Sequence, residues 1–159
     1  MERVFEVLSG PTHFSDKLNA AYRRSFFISA DMAHGIHPNY PSKHQQNHQV
    51  SPNKGIVLKI NANNRYCTNA ISGAIVRVIS QSCGVPLQPF IVRADSRCGS
   101  TIGPILSSLI GVTAIDVGCC MFAMHSIRES CGVMDAHYYT EFFHGFFQHP
   151  IPQVNTEKF

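Results

Sequence analysis

Charge is scarce in this chain. Of its 159 residues 13 are basic and 10 acidic, which leaves a net charge of +3 with 14% charged residues. The basic residues are scattered, Arg23-Arg24 being the densest pair, so the footprint of a nucleic-acid-binding surface is missing. Long apolar runs are missing as well. None reaches the length that spans a bilayer, and no hydrophobic signal region follows Met1-Glu2-Arg3-Val4. Neither nucleic acid nor membrane is therefore an expected partner, and the expected compartment is the cytoplasm. Cys-x-x-Cys is absent too: Cys67, Cys83, Cys98, Cys119, Cys120 and Cys131 lie at irregular spacings, which speaks against a zinc ribbon or a thioredoxin-like redox pair and for reduced thiols. No Gly-Lys-Ser/Thr follows the glycines of Cys98-Gly99-Ser100-Thr101-Ile102-Gly103-Pro104, so that turn is no phosphate loop.

What is present is a hydrophobic content of 44%, enough to fill the core of one domain. Ser25-Phe26-Phe27-Ile28 reads as a short buried strand. Ile56-Val57-Leu58-Lys59-Ile60-Asn61, β-branched and bounded by Gly55 and an Asn-rich turn, reads as a second. Its Lys59 reads as an edge residue reaching for water, or as one pointing into a site that needs a cation. Ile71, Ala74, Ile75, Val78 and Ile79 recur with helical period, with Thr68 or Asn69 as cap and Gly84 as stop. Phe90-Ile91-Val92 is a further strand; a helix follows from Ile105 to Gly111, and Val112 to Gly118 forms another strand. Strands alternating with helices predict an α/β fold with a largely parallel sheet and right-handed crossovers. Tyr139, Phe142, Phe143, Phe146 and Phe147 form an aromatic stripe on a helix ending at Pro150, suited to a core or a subunit interface. Residues 41–55 are polar and turn-rich and are expected to run over the surface, with His44 and His48 as solvated sequence.

Nine histidines are the unusual count, and they gather between His34 and His48 and between His125 and His149. Ser29 to Tyr40 places Asp31, His34 and His37 within seven residues of one another, directly behind a strand. Carboxylate and imidazole together suit a divalent metal or proton transfer. An Asp in that position also serves as a helix cap or turn former. His125 follows a strand as Asp31 does, and in a parallel sheet both would lie at the same carboxyl edge. Asp31, His34 and His37 could alternatively form a mononuclear site of their own.

Ser29-Ala30-Asp31-Met32-Ala33-His34, Cys98 to Pro104 and Ala123-Met124-His125-Ser126-Ile127-Arg128-Glu129, in this order, resemble the aspartyl aminopeptidase family, dinuclear zinc exopeptidases that remove N-terminal Asp or Glu. The similarity runs from about Phe26 to Phe147. It implies a three-layer, zinc-exopeptidase-like sheet with helices on both faces, here incomplete: residues 1–24 as a weakly patterned lead-in, 25–150 as the C-terminal part of the catalytic domain, and 151–159 as a tail. It implies that Asp31 binds one zinc and His125 the other, and that His34, Lys59 and Tyr66 contact a peptide with an acidic first residue. A homo-oligomer is implied as well. The family's remaining ligands, a His, a bridging Asp and a Glu whose neighbouring Glu is the general base, precede the Asp31 motif. The 30 residues before Asp31 carry Glu2, Glu6, His13 and Asp16 but no Glu-Glu pair. No catalytic base is therefore assigned, and the chain alone is expected to be inactive. The contrasting expectation is a non-catalytic module, or a degraded copy, that binds sibling subunits through Phe142, Phe143, Phe146 and Phe147.

Overall fold

The structure, a computed structural model, describes residues 2–9 and 14–150. His13 and the expected tail, 151–159, lie outside the described residues. Two helices, α1 (Glu2–Ser9) and α2 (Phe14–Arg23), lead into strand β1 (Phe26–Ala30) and a short β2 (Ala33–His34). After a 3-10 turn at Pro41–Lys43 come β3 (Ile56–Ile60), α3 (Ala70–Ser82), β4 (Leu87–Ile91) and α4 (Ile102–Ile110). The chain ends with β5 (Thr113–Gly118), β6 (Cys120–Phe122), β7 (Ser130–Cys131) and α5 (Val133–Gln148).

The main sheet has the order β1-β5-β3-β4, and β2-β6-β7 form a second, smaller sheet. β1 pairs with β5 and β3 with β4 in parallel, so the three-layer α/β expectation holds. The expected parallel strand-helix-strand pattern is met by β3-α3-β4 and fails for the next unit. From α4 the chain passes β3 and enters β5 on its other side, antiparallel to β3. Apolar composition specifies burial on both faces of a strand and leaves its direction open. The small sheet has strands of two or three residues, too short to show any period.

Alternation along the strands sorts the two faces. Ile56, Leu58, Ile115 and Val117 meet α3 and α5 in the main core, together with Ile79 and Phe142. Val57 and Lys59 of β3 and Asp116 of β5 point to the opposite face, where α4 packs on β1 and β5. Asn69 caps α3 reciprocally with Ser72, Thr101 caps α4, and Gly111 ends α4 at φ 66°. The aromatic stripe divides: Phe142 and Phe146 are buried in the chain's own core, while Phe147 is exposed. The four-ring docking surface therefore loses two of its rings. All six cysteines are free, and burial pushes the Cys119 and Cys120 thiols up to about 12. No helix among the described residues is long and apolar enough to cross a membrane.

Candidate active site

Asp31 is the first residue beyond β1, and its N–H stays on the ladder, donating to the Val117 carbonyl at 3.1 Å. β5 must end in glycine there: a Cβ on Gly118 would lie 1.8 Å from the Asp31 carbonyl oxygen. Against this turn stands Lys59. Sequence reading placed it at a sheet edge or in a site; it sits on an interior strand, 3% exposed. Its Nζ donates to Asp31 Oδ2 at 3.0 Å and to the Met32 carbonyl at 2.9 Å, and lies 4.7 Å from the centre of the Tyr66 ring. A buried ammonium is tolerable only with such partners.

These groups open into one pocket of about 370 Å³. Asp31, His34, Lys59, Tyr66 and His125 all line it, so the structure brings together all five residues singled out from the sequence. His37 stays away from that wall, which removes the Asp31, His34 and His37 arrangement. Its N–H donates to His44 Nε2 at 3.1 Å, and its ring packs 5.0 Å from that of Tyr40. His125 is reached through a strained loop in which Ala123 and His125 have φ of 55° and 67°. Non-glycine residues adopt that region only when their surroundings hold them, and here the Glu129 carboxylate takes the His125 N–H.

Three groups escaped the sequence reading. His44 and His48, taken as solvated, are half-buried on the pocket wall, where His48 Nδ1 meets Gln45 Oε1 at 2.8 Å. Arg93 ties their loop down: its guanidinium holds Asp95 on one side and the Ser42 carbonyl on the other. Asp116 is fully buried behind the site and accepts from Cys67 N–H and Thr101 Oγ1, each at 2.6 Å, and from Cys67 Sγ at 3.0 Å. One carboxylate thus anchors both the Tyr66 turn and the start of α4. Its only sequence signal is a charge inside an apolar strand, the same signal that Lys59 gives.

The electrostatics favour a neutral imidazole and a protonated phenol. Burial holds His34 below its ordinary 6.5, helped by Lys59 and His125 and opposed by Asp31. Burial does the same at His44, with His34 and His37 adding to it. Burial pushes Tyr66 well above the usual phenol range, and the Cys98 thiol, donating to its hydroxyl at 3.3 Å, adds to the shift. Tyr66 therefore keeps a proton to donate at neutral pH.

The family model for the aminopeptidase I zinc metalloproteases (M18) matches residues 1–147. The chain belongs to this family. A probable aspartyl aminopeptidase of Ricinus communis is 48% identical over 149 residues, covering 91% of this chain and 30% of that one. The crystal structure of prApe1 superposes with a TM-score of 0.86 at 35% identity, covering 93% of this chain and 30% of its own. A Saccharomyces cerevisiae mApe1 dodecamer has a TM-score of 0.75 at 32% identity, covering 91% and 33%. The chain thus spans about a third of the length of these M18 relatives.

The residues present do not by themselves fit the zinc that the M18 family implies. A catalytic zinc needs about three protein donors and an open position. Among the described residues, no three His, Cys, Asp or Glu side chains converge on a point that could hold a metal ion. Asp31 instead turns its carboxylate to the Lys59 ammonium.

Proposed function

We propose that this chain supplies one wall of an M18 aminopeptidase site acting on peptides with an N-terminal Asp or Glu. Asp31 and His125 would each give one donor to a different zinc ion. The other donors, and the Glu that serves as base, belong to parts of the M18 fold that this sequence does not carry. The chain alone is then inactive. The observation supporting this reading is the convergence of Asp31, His34, Lys59, Tyr66 and His125 on one pocket from four separate stretches of chain.

Each side chain has a task that its setting suits. Lys59 is a fixed cation for an acidic substrate side chain, held by Asp31 and the Met32 carbonyl. Tyr66, kept protonated, can donate to a developing oxyanion. His34, neutral near pH 7, can accept from the substrate and orient it. As in the mApe1 dodecamer, the completed protein would be a homo-oligomer, and its free thiols suit the cytoplasm.

The test is a single-chain chimera in which this sequence replaces the matching segment of the Ricinus relative. It is expected to release N-terminal Asp from a peptide in a chelator-sensitive way, and His125→Ala is expected to abolish the release. Equal rates with and without His125→Ala would overturn the site assignment.

A further inference from the structure

Three side chains of the loop that enters α4 bear on Tyr66. Ser100 Oγ donates at 3.1 Å to the carbonyl of Arg65, the residue before it. Thr101 Oγ1 donates to Asp116, whose other oxygen accepts the N–H of Cys67, the residue after it. Cys98 Sγ reaches the phenol itself, donating to its oxygen at 3.3 Å. The backbone on both sides of the ring and its polar tip are thus held from one stretch, Cys98-Gly99-Ser100-Thr101, to which the functional reading gives no task.

The ring has little freedom between these holds. Tyr66 is 7% exposed, its face lies under the Lys59 ammonium, and its centre is 6.4 Å from that of the Phe90 ring. Cys98 packs against the same apolar cluster. A phenol oxygen can both accept and donate, and among the described residues the Cys98 thiol is its one hydrogen-bond partner. A thiol that donates occupies an acceptor position and leaves the phenol's own proton uncommitted, on the side away from Cys98. Both side chains line the pocket, so that proton is free for a group bound there.

We propose that Cys98 is a positioning residue for Tyr66: its S–H fixes the direction of the phenol proton, so that Tyr66 meets a developing oxyanion as a donor already aimed. The thiol acts through Tyr66. Alignment beforehand matters because a donor that must turn during the reaction loses part of its stabilising effect to reorganisation. A weak donor suits the task, since it orients the phenol without competing with the stronger bond to an oxygen that carries charge. The inference rests on the functional reading above for the task of Tyr66.

Two measurements test it. In this chain, difference infrared spectra read the bond directly: Tyr66→Phe is expected to shift one S–H stretching band toward that of a free thiol, and Cys98→Ala to remove the same band. An S–H spectrum indifferent to Tyr66→Phe would overturn the inference. In the single-chain chimera, Tyr66→Phe is expected to lower kcat about 100-fold, as loss of one oxyanion donor does. Cys98→Ala is expected to lower it about three- to tenfold, the effect of one neutral hydrogen bond, with KM for an Asp peptide changed by less than about twofold. Added to Tyr66→Phe, Cys98→Ala is expected to lower kcat no further. A further loss in the double variant, or a loss confined to KM, overturns the positioning role, because a merely structural cysteine acts whether or not the hydroxyl is present. If Tyr66→Phe leaves kcat unchanged, or the chimera has no activity at all, the functional reading falls and this inference falls with it. If Tyr66→Phe lowers kcat and Cys98→Ala does not, the inference alone falls.

Discussion

At the scale of single residues the pocket turns on one ion pair of unequal exposure. The Lys59 side chain is 4% exposed and that of Asp31 53%, so most of the desolvation cost falls on the ammonium. Asp31→Asn keeps the shape and removes the charge opposite Lys59, leaving the Met32 carbonyl and the Tyr66 ring as its partners. The expected loss is about 1–3 kcal/mol, the cost of weakening a buried donor's pairing, read by urea unfolding. Lys59→Met combined with Asp31→Asn should recover part of it, since the cation that needed a partner is then gone. The histidines predict a pH dependence as well. His34 and His44 both titrate below the ordinary 6.5 in the folded chain, so the unfolded chain takes up the proton more readily. Their contribution to stability is complete above pH 6.5 and is lost as pH falls from there toward the folded values. Melting temperatures measured downward from pH 6.5 should decline, and less steeply in His44→Gln.

At the scale of elements, Asp116 joins β5 to two loops that build the pocket. The first turn of α4 fits against it only because residue 103 lacks a side chain. A Cβ on Gly103 would stand 2.7 Å from Asp116 Oδ2, 2.7 Å from Cys67 Sγ and 3.0 Å from Ser29 Cβ. Gly103→Ala should cost about 1–3 kcal/mol by overpacking. Asp116→Asn should cost a similar amount, about 1–3 kcal/mol, because an amide NH₂ would face donors from Cys67 and Thr101. Both losses can be read from denaturant midpoints, with Val78→Ala as a surface control. Such elements also show what a sequence carries. α3 was legible through its period and its Asn69 cap, and α4 through the glycines before and after it. β3 was legible as a strand, yet its antiparallel pairing with β5 was not, since no residue in Ile56 to Ile60 records which way a neighbour runs. Asp31 and His125 were found through motifs that resemble a known family. Asp116 and His48 belong to no such motif, and their roles come from contacts 48 and 49 residues away for Asp116 and from the fold of a polar loop for His48.

At the scale of the whole molecule, a low charge meets an unfinished surface. A net charge of +3 gives little repulsion between copies, while Ile105 and Leu109 on α4 and the open side of β1 offer apolar surface and free backbone groups. The core behind them is sound: Phe142, Ile79 and Ile115 are fully buried and shared among α5, α3 and β5. The two facts together predict a chain that folds its core and still associates with itself. Light scattering of the isolated chain should rise with concentration, and the melt should broaden as it does. The pair Ile105→Glu and Leu109→Glu should suppress that rise while shifting unfolding at low concentration by no more than about 0.5 kcal/mol per site, the usual effect of a surface substitution. The separation between the two readouts is what matters. If the charges lowered scattering and stability alike, the stripe would be part of the core and not a surface awaiting a partner; a sharp melt from a monomer at every concentration would show that β1 and α4 need no cover.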